Sequence, residues 1–194
     1  MKDQNKGQAF KTQVHREGYI YLLGFVMTIP AANWFIEHIG TVCSDKGPCL
    51  LPVAPGLMAP SGVVMIGLAL VLRDLVQRRL GTKIAIFAIM AGAIISAIFA
   101  PPALVVASLL AFLFSEFTDL LVYTPLQRRK LVLAVFASGC VGLVIDSVVF
   151  LHLAFGNLEF IYGQIIGKTW VIFLSLPAIF WFRKRDERLG IEPA

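Results

Sequence analysis

Charge is scarce in this chain. Asp, Glu, Lys and Arg together make up 15% of the 194 residues, against 58% hydrophobic ones. Soluble domains devote about a quarter of their residues to charge, so this balance excludes a water-soluble globule and leaves an integral membrane protein. Long polar stretches are also missing, which leaves no room for a soluble domain beside the membrane part. Histidines number only three, and of these only His152 lies well inside an apolar run. The strings His-Glu-x-x-His and Gly-x-Ser-x-Gly are absent, so a membrane-embedded enzyme has no nucleophile–base pair to stand on. We expect no enzyme, no cofactor and no metal. The net charge of +5 would suit a nucleic acid, but the basic residues stand at the ends of apolar runs, which is a topology signal, and no nucleic-acid partner is expected.

What is present is a series of six apolar runs, at about 18–39, 61–80, 83–100, 103–123, 131–155 and 158–182. At about 1.5 Å per residue, runs of this length cross or nearly cross a hydrocarbon core of about 30 Å. The expected fold is all-α, a polytopic membrane protein with six transmembrane helices. A polar tail, 1–17, precedes the domain 18–182, and a basic tail, 183–194, follows it. The first helix is read as uncleaved, bent at Pro30, with Asn33 one turn later. Asn33 is the natural partner for the carbonyl that Pro30 frees, or else a ligand contact. Fourteen of the seventeen Lys and Arg fall on one side: Lys2, Lys6, Lys11 and Arg16; Arg78, Arg79 and Lys83; Arg128, Arg129 and Lys130; Arg183, Lys184, Arg185 and Arg188. Lys46 alone falls on the other, while Arg73 and Lys168 lie within helices. By the positive-inside rule both termini are cytosolic.

The runs 103–123 and 131–155 organise the rest, because they carry carboxylates where lipid would otherwise be. A charge facing lipid costs about 2.5–3.5 kcal/mol on insertion scales, so such groups face a bundle interior and are functional candidates by default. Glu116, Asp119 and Tyr123 share one helix face, as do Gly139, Gly142, Asp146 and Phe150, whose small residues let a ligand or another helix approach. Gln164 and Lys168 share a face of the last helix, beside a GxxxG pair, Gly163 and Gly167. Counting rise per residue puts Arg73, Asp74, Glu116 and Asp119 in an inner layer and Asn33, Asp146 and Gln164 in an outer one, with Lys168 between. Polar groups at several depths suit a transport path. The candidate substrate-binding residues are therefore Asn33, Arg73, Glu116, Asp119, Asp146, Gln164 and Lys168. The competing reading is a buried ion pair of Arg73 with Glu116 or Asp119.

The stretch 41–60 is rich in Pro and Gly, and its apolar end, 51–60, either dips into the membrane or lids a cavity. It holds Cys43 and Cys49, which form a disulfide if the loop faces an oxidising compartment. Zinc is disfavoured there, since His38 is the only histidine nearby. Cys140 is a packing residue of a membrane helix.

Several strings resemble the vitamin uptake transporter family, whose members include queuosine-precursor transporters. They are Leu-Arg-Asp-Leu-Val-Gln at 72–77, Ser-Glu-Phe-Thr-Asp-Leu-Leu-Val-Tyr at 115–123, Val-Gly-Leu-Val-Ile-Asp-Ser at 141–147, Leu-Ala-Phe-Gly at 153–156 and Gly-Lys at 167–168. The resemblance spans most of 60–170 and departs from the family pattern at Arg73 and Glu116. It implies a six-helix, multi-pass importer of the bacterial cytoplasmic (inner) membrane. Its small-molecule substrate is 7-cyano-7-deazaguanine or a related 7-deazapurine. The alternative is a substrate-capture subunit, like those of energy-coupling-factor importers, which needs an energising module. The stripe Ala103, Ala107 and Ala111 would dock that module or pack within the bundle. A deazaguanine offers paired N–H donors beside a carbonyl. A carboxylate accepts the first, a Lys, Gln or Asn donates to the second, and Phe112, Phe150 or Trp170 can stack on the ring.

The topology generates the first prediction. After reduction, a membrane-impermeant thiol reagent should tag Cys43 and Cys49 on intact cells. Tagging only after lysis would invert the orientation.

Overall fold

The computed structural model describes residues 2–43 and 48–190; Lys46 and the last residues of the basic tail, 191–194, lie outside the described residues. Six α-helices and one β-hairpin make up the described chain: α1 (Lys2–His38), β1 (Leu50–Ala54), β2 (Leu57–Pro60), α2 (Val63–Leu80), α3 (Thr82–Phe99), α4 (Val105–Leu126), α5 (Leu131–Phe155) and α6 (Ile161–Leu189). Five of the six helices, all but α2, are long and apolar enough to cross a membrane.

The helix ends follow local chemistry. Pro101 and Pro102 open a single 3₁₀ turn, Pro102–Leu104, that leads into α4, where proline's missing N–H costs nothing. Gly156 closes α5 and Gly190 closes α6, both in the left-handed conformation that glycine adopts without strain. Two boundaries differ from the sequence reading. Helix α1 starts at Lys2 and takes in the segment assigned to a tail, and α6 runs on through the basic stretch to Leu189. Neither added segment contains proline, and Lys, Gln, Ala and Arg are good helix formers.

Helix α2 is the axis of the bundle. It has the most charge in its middle and is also the most enclosed, with Arg73, Asp74, Gln77, Arg78 and Arg79 all buried. The reason is the bilayer, because a charged helix is tolerable only where other helices, not lipid, surround it. Two apolar clusters flank it. Leu70, Val71 and Leu75 pack with Tyr123, Leu143, Ile172 and Ile179 on one side. Ala69 packs with Phe25, Ile29, Ile89, Phe112 and Leu120 on the other. Large apolar side chains such as Phe87, Ile98, Leu121 and Leu174 cover the outside, as a lipid-facing surface requires.

The Pro- and Gly-rich stretch is an antiparallel hairpin, pairing Leu50 with Pro60 and Pro52 with Met58 and turning at Gly56, where φ is +72°. Its prolines sit at edges of a two-stranded ribbon, where no ladder partner is lost. The loop is tied to the end of α1: Cys49 N–H donates to Ile36 O (2.8 Å) and Ser61 Oγ to Phe35 O (2.6 Å). Cys43 and Cys49 are joined by a disulfide. Helix α6 closes against the ribbon at Gly163, where any Cβ would collide with Met58 O, and Trp170 Nε1 donates to Val53 O (3.1 Å).

At the basic end, Asp186 of α6 is 1% exposed and clamps α2. It accepts from Arg78 Nε (2.9 Å) and from Arg79 Nη1 (2.9 Å) and Nη2 (2.8 Å). Arg79 and Arg185 also meet Glu17 of α1, so one ionic group fastens three helices. Removing one partner of a buried pair strands the other charge and costs about 3–5 kcal/mol. Asp186→Ala should therefore lower the melting temperature in detergent far more than Glu187→Ala, which breaks only the exposed Arg183–Glu187 pair, worth about 0.3–0.5 kcal/mol. Equal shifts would show that the clamp carries no stability.

Candidate functional site

The polar residues inside the bundle collect at two levels, an outer one on α1, α5 and α6 and an inner one on α2, α4 and α5. The outer level lines a cavity. Asn33 of α1, Phe112 of α4, Asp146 and Phe150 of α5, and Gln164 and Lys168 of α6 form its wall, with Pro60 of the hairpin and Gly62 at its rim. Its volume is about 60 Å³, room for a few water molecules. A bicyclic guest therefore needs the helices to part.

Lys168 is the chemical centre of this cavity. Its Nζ donates to Asp146 Oδ2 (2.5 Å), Gln164 Oε1 (2.7 Å) and Ser147 Oγ (2.8 Å). An ammonium has three donors, and all three are used. The side chain is 1% exposed, so this saturation keeps the charge tolerable away from water. Gln164 is supplied from the same helix four residues earlier, the spacing that stacks side chains on one face. Asn33 does not serve the carbonyl that Pro30 frees. Its Nδ2 donates to Ile29 O (3.0 Å), while the N–H that proline lacks would have gone to Val26. The amide oxygen of Asn33 remains for the cavity.

The inner level is an ionic cluster around Arg73, which is fully buried. Its Nε donates to Glu116 Oε2 (3.0 Å), Nη1 reaches Asp74 Oδ1 (3.0 Å) and Gln77 Oε1 (3.1 Å), and Nη2 meets Asp119 Oδ1. Ser138 Oγ of α5 donates to Asp74 Oδ2 (3.2 Å). The Tyr123 ring packs on the guanidinium at 5.8 Å from its centroid, a cation–π contact strengthened by the lack of water. The structure thus pairs Arg73 with both carboxylates of α4 at once, and with Asp74 as well.

Of the seven candidate residues, Asn33, Asp146, Gln164 and Lys168 meet in the cavity, whereas Arg73, Glu116 and Asp119 meet in the cluster. The structure decides between the alternatives at three places. Gly139 and Gly142 open no space beside Asp146; a Cβ at Gly139 would strike Ile172 and one at Gly142 would crowd Asp119, so both serve helix packing. Trp170 is 55% exposed and holds the hairpin instead of lining the cavity. Ala107 and Ala111 are buried and pack within the bundle, whereas Ala103 at the start of the stripe is exposed. Sequence reasoning passed over Gln77, Ser138 and Ser147. A signal existed for two of them, because Gln77 lies four residues after Arg73 on the same helix and Ser147 adjoins Asp146.

Residues 96–182 match the family model described as "Putative vitamin uptake transporter". The matched stretch contains Glu116, Asp119, Asp146, Gln164 and Lys168, and precedes neither Asn33 nor Arg73 in the chain. No curated protein and no solved structure matches. The match spans 87 of the 194 residues and makes this part of the chain similar to that family, and five helices are long and apolar enough to cross a membrane, as a multi-pass membrane protein needs.

The cluster makes its own prediction. Arg73→Met strands buried carboxylates and should destabilise the protein by about 3–5 kcal/mol. Neutralising Asp119 in the same chain (Asp119→Asn) should recover part of that loss, measured as thermal unfolding in detergent. Strictly additive losses would mean that the two groups do not interact.

Proposed function

We propose that this chain is a bacterial cytoplasmic-membrane importer whose cargo is a queuosine precursor, 7-cyano-7-deazaguanine or a related 7-deazapurine. Helix α2 is its sixth span, and both termini are cytosolic, as the charge split requires. Helix α2 escapes the apolar pattern only because its charges are paired inside the bundle.

The observation that carries this reading is the Lys168–Asp146–Gln164 constellation in a cavity walled by Phe112 and Phe150. A deazaguanine is a flat ring with two adjacent N–H donors and a carbonyl. Asp146 accepts the two donors, and Lys168 turns from Asp146 to the ring carbonyl. In the resting state the ion pair satisfies both groups, so the charges stay neutralised until the guest supplies their bonds. The aromatic walls offer ring faces, and Asn33 a further amide. Nothing in this scheme requires a separate energising subunit.

Rescue of tRNA modification in cells unable to make the precursor, with and without this protein, tests the assignment. Modification restored by the transporter at limiting precursor supports it; equal modification without the protein contradicts it. Within the site, Asp146→Asn keeps size but turns one acceptor into a donor that faces the ring donors. Uptake should collapse while membrane expression survives. An analogue lacking the exocyclic amine should be rejected on the order of 10⁴-fold, because the site's polar groups are then left unpaired. Normal transport by Asp146→Asn would make the acid structural.

A further inference from the structure

The inner cluster is charged out of balance. One guanidinium, Arg73, faces three carboxyl groups, Asp74, Glu116 and Asp119, all at most 1% exposed. With every group ionised, two negative charges would stand in the middle of the bundle without counter-ions, which low-dielectric surroundings do not tolerate. Two independent signs show that bonds are missing here. Asp119 Oδ2 is buried with no hydrogen-bond partner among the described residues. So is the hydroxyl of Tyr123, a fully buried residue whose ring packs on Arg73 and which feels the charges of Asp74 and Asp119. Among the described residues no group of three or more His, Cys, Asp and Glu side chains is placed to hold a metal ion.

We infer that this cluster is a proton-binding site that exchanges with water and couples uptake through the adjacent cavity to a proton gradient. A proton on a carboxyl oxygen removes one excess charge and turns an acceptor into a donor, which is what two carboxyl groups sharing one guanidinium need. The position suits coupling. Phe112 of the cavity lies one turn from Glu116 on α4, and Asp146 lies one turn from Gly142, against which Asp119 packs. From the cluster a polar chain runs on towards the basic end: Arg73 to Gln77, then Gln77 Nε2 to Thr124 Oγ1 (2.9 Å) and Thr82 Oγ1 (3.2 Å). The proton passes from water onto a carboxyl oxygen and back to water as the helices move, with no other bond made or broken; Arg73 and the Gln77 amide cannot give up a proton, so they hold the carboxyl groups and do not relay it. The charged and titratable groups bearing on it are Arg78 of α2, Tyr123 of α4 and Asp146 of α5, the last already neutralised by Lys168 of α6.

The proton site is tested without any cargo. Infrared spectra of the protein in nanodiscs, in sodium-free buffer near neutral pH, should contain the carbonyl stretch of a protonated buried carboxylic acid. That band should shift on exchange into D₂O and lose intensity in at least one of Asp74→Asn, Glu116→Gln and Asp119→Asn. A band absent from the unmodified protein, or unchanged in all three variants, overturns the proposal. Carboxylate bands that respond to added sodium but not to pH would assign a sodium ion instead and also overturn it. Coupling rests on the uptake reading and has its own readout. In proteoliposomes containing a trapped pH dye, entry of 7-cyano-7-deazaguanine should acidify the lumen. Uptake without acidification defeats the coupling, whereas no uptake at all defeats the cargo assignment and leaves the infrared result to decide the proton site.

Discussion

A guanidinium in the centre of an apolar bundle stands only as long as its counter-ions do. Arg73 is the side chain on which this fold turns. It draws Asp74 from its own helix and Glu116 and Asp119 from α4, and Asp74 in turn accepts from Ser138 of α5. Those bonds allow α2, whose charges are all buried, to occupy the axis of the bundle. The five apolar helices then have a polar core to surround and an outer surface left for lipid. Asp186 does the same work at the basic end, where it gathers Arg78 and Arg79.

The two polar levels differ in how their charge is balanced, and that difference divides their roles. In the cavity one ammonium meets one carboxylate, and its three donors find three acceptors. Such a pair is neutral at rest and can trade its bonds for those of a guest with donors and a carbonyl side by side. In the cluster three acids meet one base, so balance comes only from outside the set. Helices α4 and α5 carry residues of both levels: Phe112 lies one turn from Glu116 on α4, and Asp146 about two turns from Ser138 on α5.

The helices were legible because most of the apolar runs are long enough to cross a bilayer and end at Pro, Gly or a basic cluster. The grouping of polar residues by depth was legible too, since rise per residue converts position into height. Sequence could not say which groups would touch. Depth brings Arg73 level with Glu116 and Asp119 but does not tell one partner from three. The hairpin stayed hidden for a different reason: a two-stranded ribbon gains little by itself, and this one is held by α6, where Gly163 allows Met58 to come close. Asp186 was missed because its charge-rich surroundings read as a solvated tail, and only the extension of α6 brings it under Arg78 and Arg79. The glycines of α5 left one question open. Small residues in a membrane helix signal close approach, but whether a ligand or Ile172 approaches is a tertiary fact.

The central claim is that the cavity beside Lys168 and Asp146 receives the transported molecule. Ser108 also lines that cavity, away from the ion pair, and offers a direct probe. In a Cys140→Ser background, a Ser108→Cys thiol should react with a small water-soluble reagent. 7-Cyano-7-deazaguanine should protect it at the concentrations that half-saturate uptake. Labelling that proceeds unhindered at saturating ligand, in protein that still transports it, would place the binding site elsewhere and contradict the account.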